Sequence, residues 1–312
     1  LEGKDIDSMS DETLQNTVME TDIFARTTPT HKLRIVKALQ KNEQIVGMTG
    51  DGVNDALALK RSDIGVSMGI TGTDVAKNTA DLILTDDNFA SIVSAVEEGR
   101  IIYDNIKKFV YFLLSCNIGE ILIVFVSILM NLPVPFIAIQ LLWLNLVTDS
   151  FPALALGMEA GDPDVMDRQP RDAKAPILDK PLLVRIAIQS IAIAVASLLA
   201  YTISLRLYSD NLALSRTITF ATLILAELLR AYSSRSQKYM LHEIGFFSNR
   251  TMVIGTSISF LLMLVVLYIP FMQPIFDTVT LSFEHWRLVL LFAFIPLIVG
   301  ELYKLLNRKS SK

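Results

Sequence analysis

The sequence predicts an α/β unit at the amino end followed by an all-α bundle of six membrane-spanning helices. Three observations predict it. The 312 residues are 52% hydrophobic and only 19% charged, too apolar for an ordinary soluble domain. Charges are scattered through residues 1–105, whereas long apolar stretches with short polar breaks run on from Phe109. Strand-like and helical patterns alternate before that change, and only helical ones follow it. The expected domains are therefore 1–105 and 106–312.

In the first domain Gln44–Met48, Ile64–Met68 and Leu82–Leu84 are short apolar runs ending in polar or glycine turns, which predicts three strands. Thr30–Lys41 carries Leu33, Val36 and Lys37 at helical spacing. Strand and helix alternation predicts a mainly parallel sheet with its chemistry at the carboxyl ends of the strands. From about Asn88 a helical pattern through Phe89, Ile92, Val93, Val96, Ile101, Ile106 and Val110 runs into the first apolar stretch. That predicts one continuous stalk.

Six stretches have about the 20 residues a bilayer requires. They lie near 107–131, 136–157, 182–207, 216–232, 250–270 and 286–306, and the fourth is the shortest. Basic residues, among them Lys107, Lys108, Arg168, Lys238, Arg308 and Lys309, gather on one side of this topology. The positive-inside rule then puts the soluble domain and the carboxyl terminus in the cytoplasm. The net charge of −4 says little beside this placement, and no nucleic-acid partner is expected. A single cysteine, Cys116, excludes an internal disulfide framework and a multi-cysteine metal site, and reads as a small core residue. The chain opens Leu1-Glu2-Gly3 without an initiator methionine or signal peptide, so a piece of a longer protein is expected.

Thr49-Gly50-Asp51-Gly52-Val53-Asn54-Asp55 falls where a strand gives way to a helix. Thr49, Gly50 and Gly52 allow a tight turn and close approach to a ligand. Asp51 and Asp55 supply hard oxygens and Asn54 a neutral one. This suits Mg2+, which takes one or two carboxylates and keeps its other positions for water and phosphate. Lys32, after Pro29-Thr30-His31, can set a point charge against a phosphoryl group. A calcium EF-hand is disfavoured, because its glycine and terminal glutamate are not in place.

The membrane stretches carry polar groups, and among them charged ones, which lipid penalises by at least about 2.5–3.5 kcal/mol each. Asn117 and Glu120 are three apart in the first span, and Asn145, Thr148 and Asp149 share a face of the second. Pro152 cannot donate to the helix ladder, so the backbone near Asp149 is expected to loosen and free carbonyls toward a cavity. The fourth span adds Glu227. Together these form an all-oxygen set that favours Ca2+ over softer metals. Arg230 can pair with Glu227, occupy one cation position, or snorkel to the cytoplasmic edge. Gln189 and Glu301 read as helix–helix contact and interface residues.

Together these residues carry a specific resemblance. TGDGVNDALALK, Thr49–Lys60, resembles the hinge motif of the P-type ATPases, and Pro29-Thr30-His31-Lys32 resembles their phosphate-contacting lysine segment. SCNIGE and LLWLNLVTDSFPALALG resemble the calcium pumps of the sarco/endoplasmic reticulum and prokaryotic type. The resemblance implies that 1–105 is the C-terminal half of a haloacid-dehalogenase-like, Rossmannoid phosphorylation domain with its stalk, and that the six spans are the last of ten. It implies that Asp51 binds Mg2+, that Lys32 contacts an aspartyl-phosphate, and that Asn54 and Asp55 support that site. Asn117, Glu120, Thr148, Asp149 and Glu227 would form one Ca2+ site, with Asn145 and Asp149 contributing to a second.

The implied activity is ATP-driven Ca2+ export or sequestration against H+, in a multi-pass protein of a prokaryotic plasma membrane. ATP would be the substrate of the full-length protein, of which a missing N-terminal part would carry the phosphorylated aspartate. The chain alone is expected to be inactive. Leu57, Ser150 and Arg230 depart from the family's usual proline, glycine and uncharged residue, and Arg230 bears on whether one or two ions are carried. The rival readings are a Na+/K+ or Mn2+ pump, a membrane-anchored phosphatase of the same fold, and a non-catalytic subunit.

Overall fold

The computed structural model describes residues 1–172 and 174–310. The side chains of Arg308 and Lys309, counted in the charge asymmetry above, fall outside that description, as do residues 311–312. The chain divides into two compact units, one chiefly Leu1–Glu98 and the other Gly99–Pro170 with the chain from Lys174 onward.

The first unit is built on a three-stranded parallel sheet in the order β1-β2-β3: Gly47–Gly50, Ile64–Met68 and Leu82–Leu84. The second and third strands fall where the sequence places them, but β1 starts later than Gln44. Its approach is fastened first by a side chain. The Val46 amide donates to Asp63 Oδ2 at 2.8 Å, and the Val46 carbonyl accepts from the Asp63 and Ile64 amides. Thr49 and Gly50 therefore lie inside β1, and Asp51 is the first residue beyond it.

Pro29–Lys41 is a helix whose first turn is set by Thr28: its Oγ1 accepts from the His31 amide, and Pro29 occupies the position that needs no amide. Ile6, Leu14, Val18 and Ala38 form one small core; Val36, Val46 and Ala58 form another. The turn after β2 is pinned by Asp87, which accepts the Gly69, Ile70 and Thr71 amides at 2.6–2.8 Å. These donors, the Ile70 amide foremost, hold its carboxyl down to about 2.

Among the described residues six helices are long and apolar enough to cross a membrane: Ala90–Leu129, Ala138–Gly157, Lys180–Leu207, Leu212–Ser233, Arg250–Tyr268 and Phe283–Asn307. The first is unbroken for 40 residues, roughly 60 Å at 1.5 Å per residue, as the pattern from Asn88 predicts. The fourth, expected to be the shortest, spans 22 residues and is the most enclosed, with 78% of its apolar window buried against 33–50% for the others. It packs on the second, third, fifth and sixth. Its threonines and Glu227 lower its hydropathy because it faces protein on most sides. Gly119 lets the first span approach the third: a Cβ there would lie 2.9 Å from the Ile193 side chain. The sixth helix is interrupted at Phe294, two residues before Pro296.

Candidate cation-binding site

The second span is locally rewound where the sequence expects it to loosen. Leu144–Thr148 forms a π-turn, with the Asp149 amide donating five residues back to the Leu144 carbonyl at 3.0 Å. Pro152 has no amide to offer the Thr148 carbonyl. Ser259 of the fifth span supplies the missing donor, its Oγ at 2.7 Å. Helical structure resumes over Ser150–Gly157, so the backbone bulges without unwinding, and the Ser150 hydroxyl bonds back to the Leu146 carbonyl.

This turn presents Asn145, Thr148 and Asp149 toward the first and fourth spans. Asn145 Nδ2 donates to Glu120 Oε2 at 2.7 Å. Asp149 is 1% exposed and Glu227 also 1%. One atom each of Cys116, Asp149 and Glu227 lies within 4.8 Å of the others. Four buried carboxylate oxygens have no hydrogen-bond partner: Glu120 Oε1, Asp149 Oδ2 and both oxygens of Glu227. Buried polar atoms are nearly always paired, and a buried carboxylate without a partner is costly. Thr148 is buried, with its hydroxyl on the Leu144 carbonyl. What these carboxylate oxygens lack is a hydrogen-bond donor, and together they can ligate a hard cation.

Two sequence expectations need correction. Asn117 is not brought into the cluster; it is exposed and its Nδ2 donates to the Leu113 carbonyl of its own helix at 2.8 Å. The buried face of that helix runs through Phe112, Cys116, Gly119, Glu120 and Ile123. Asn117 lies about 100° of helix rotation past Cys116. Arg230 forms no ion pair with Glu227 among the described residues, and its side chain does not reach out of the protein. It is fully buried and reaches the first span, donating to the Tyr111 and Phe112 carbonyls, to Cys116 Sγ at 3.3 Å and to the Ser115 hydroxyl. Its guanidinium also lies over the Tyr111 and Phe112 rings.

Cys116 and Ser259 are the members that sequence reasoning missed. Cys116 precedes Glu120 by four, the same-face spacing, and this was a legible signal. Ser259 sits on another helix with nothing in its surroundings to distinguish it.

In the first unit the glycine-rich segment ends β1 and leads through a short turn, Val53–Asp55, into the helix Ala56–Arg61. Asp55 is 5% exposed and accepts from Lys32 Nζ at 2.5 Å and from the Gly52 amide at 3.4 Å. Gly50 is required by contact: a Cβ there would lie 2.4 Å from the Asp55 Cβ. Asp51 and Asn54 are exposed. The Asp51 carbonyl is fixed by the Thr73 amide at 2.8 Å, which leaves its carboxylate open to solvent. Lys32 and Asp55 are thus directly joined, with Asp51 beside them at the carboxyl end of the strand. One open carboxylate beside a lysine fits Mg2+ bound largely through water and phosphate.

Comparison with known proteins extends these observations. Residues 133–306 match the family described as cation transporting ATPase, C-terminus. The chain is 48% identical over 304 residues to a calcium-transporting ATPase of Bacillus subtilis, covering 97% of this chain and 34% of that protein. It is 43% identical to the human calcium-transporting ATPase type 2C member 1, over 99% of this chain and 34% of the relative. It is 41% identical to calcium-transporting ATPase 1 of Saccharomyces cerevisiae, over 100% and 33%. The chain spans about a third of the length of these relatives. With the match covering more than half its residues, the chain belongs to the family of cation-transporting P-type ATPases and corresponds to their C-terminal part.

Proposed function

We propose that the chain carries the ion-binding membrane helices and part of the phosphorylation domain of an ATP-driven pump that moves Ca2+ out of the cytosol. In this reading residues 1–105 are the C-terminal half of a haloacid-dehalogenase-like domain with its stalk, and 106–312 are the membrane domain. The supporting observation is the set of four unpartnered carboxylate oxygens inside a membrane bundle, on Glu120, Asp149 and Glu227. Asn145 orients Glu120, and Thr148 and the rewound second span add neutral oxygens. The calcium-transporting names of the relatives support the choice of ion.

Asp51 would hold the Mg2+, which would shield phosphoryl charge when bound. Lys32 would contact the aspartyl-phosphate, held in place by Asp55 and Asn54, while Thr49, Gly50 and Gly52 shape the turn around it. ATP and the phosphorylated aspartate belong to the longer protein. H+ is the proposed counter-ion, since carboxylates released from Ca2+ inside a membrane favour protonation. In this reading the membrane is a prokaryotic plasma membrane, and the basic residues on one side support a cytoplasmic first unit and carboxyl end. Arg230 favours one Ca2+ over two, because its fixed charge lies against the Cys116 side of the cluster.

Ca2+ binding to the purified protein tests the reading. Asp149→Asn should weaken it beyond about 100-fold, the upper end of what outer-shell partners cost a metal site. Undiminished binding with a folded protein would remove Asp149 from the site.

A further inference from the structure

A cavity of about 420 Å3 lies at one end of the helix bundle, and none of the residues lining it belongs to the carboxylate cluster. Its walls come from the first, third and sixth spans, the loop after the second and the segment after the fourth. Six cations face it, Lys107, Lys108, Arg168, Arg185, Lys238 and Lys304, against the two carboxylates Asp104 and Asp162. Four of the six are held in ion pairs. Lys107 contacts Asp179 at 2.6 Å and Lys304 contacts Glu301 at 2.7 Å. Arg168 gathers Asp104, Asp162 and Asp164, and Lys238 shares Asp164.

Lys108 and Arg185 make no ion pair among the described residues. Lys108 is 2% exposed, and its ammonium, with three hydrogens to give, donates to Asn105 Oδ1 at 3.0 Å. Arg185 gives one nitrogen to the Gln237 carbonyl and Oε1, and its buried Nε has no partner. One buried and one half-buried cation, facing a polar cavity with donors to spare, fit an anion with several acceptor oxygens. The cavity has room for a tetrahedral oxyanion and its substituent. Cationic pockets among helix ends at the basic side of a membrane protein are where headgroup phosphates dock.

We propose that this cavity binds a phosphate anion through Lys108 and Arg185, supplied by an anionic lipid headgroup or by soluble phosphate. The test uses the full chain in mild detergent, titrated separately with dioctanoyl phosphatidic acid, dioctanoyl phosphatidylcholine and inorganic phosphate. Native mass spectrometry reads bound lipid, and the thermal midpoint reads all three. Lys108→Gln and Arg185→Gln should each weaken binding about fivefold, the effect of one cation near a headgroup. Arg206→Gln, an exposed cation at the other end of the third span, should change nothing.

Preferential retention of phosphatidic acid with that variant pattern establishes the lipid source. Protection by inorganic phosphate with the same pattern, and no preference between the lipids, establishes the soluble one. Lys238→Gln, on a side chain 58% exposed, should weaken binding less and carries the test if Lys108→Gln fails to fold. Absence of binding by any of the three, or binding equal in the wild type and all cavity variants, overturns the proposal.

Discussion

Glu159 and Glu227 are both buried glutamates of the helix bundle, 7% and 1% exposed, yet their surroundings follow opposite rules. Both oxygens of Glu159 meet Arg235, Oε2 with Nε and Oε1 with the second terminal nitrogen, each at 2.8 Å. Asn249 adds a third donor at 2.6 Å. Glu227 has no donor on either oxygen, although Arg230 is one helical turn away. The nearby arginine is spent on the first span instead. A buried charge that serves the fold is matched within the fold, whereas one that serves a ligand is left short of partners. The first unit obeys the first rule wherever its acids fasten turns: Asp63, Asp81 and Asp87 each accept backbone amides.

The sharpest way to break that contrast is to remove one member of each pair. Arg235→Met leaves Glu159 buried with only Asn249 beside it, and should destabilise the protein by about 3–5 kcal/mol, the usual result of stranding one buried ion. Thermal and denaturant unfolding in detergent would measure it, and a loss below 1 kcal/mol would show that the pair is not structural. Glu227→Leu should act in the other direction. Without Ca2+ it should stabilise the protein by about 1–3 kcal/mol, the penalty of an unsatisfied buried polar group, while abolishing any stabilisation by added Ca2+. A destabilised Glu227→Leu protein would mean that the carboxylate is paired after all.

What the sequence made legible follows from the same contrast. Helical spacing and the cost of charge in lipid were enough to pick out Glu120, Asp149 and Glu227, because each is anomalous on its own span. The strands Ile64–Met68 and Leu82–Leu84 were legible because they are short apolar runs between turns. The start of β1 was not, since it depends on Asp63, 17 residues beyond Val46, and no local pattern reports that bond. Asn117 and Cys116 were misjudged together. Residue type favoured the amide over the thiol, but the helix phase set by Phe112, Gly119 and Ile123 buries the thiol and exposes the amide. Arg230 could not be placed because its partners are main-chain carbonyls more than 110 residues away in sequence.

A smaller effect separates the two roles of the second span. Pro152→Ala restores an amide that can close on the Thr148 carbonyl and compete with Ser259. The π-turn should relax toward regular helix, and Ca2+ affinity should fall by about tenfold, as for the loss of an outer-shell support. Titration of the variant with Ca2+ measures this. An unchanged affinity would show that the bulge supports helix packing alone, and that the carboxylates do not need it.

The smallest effect belongs to the matched side of the comparison. Asp87 accepts three amides and the Thr71 hydroxyl, and its carboxyl is held down to about 2, against about 3.9 for an unperturbed aspartate. A depressed carboxyl stabilises the folded state above the unfolded value and loses that contribution as pH falls through the folded one. Hydrogen-exchange protection of Ile70 and Thr71 should therefore be full above about pH 4 and disappear toward about pH 2, whereas the Gly69 amide also donates to the Leu84 carbonyl. Asp87→Asn offers one carbonyl oxygen where two carboxylate oxygens stood, so protection should be reduced at neutral pH and show no such acid limb. Ca2+ binding should be unaffected in that variant, because Asp87 is matched by the fold and has nothing left to offer an ion. Wild-type protection that persists unchanged to pH 2 would mean that the turn holds without the charge, and that pairing at Asp87 is a consequence of the local backbone and not its cause.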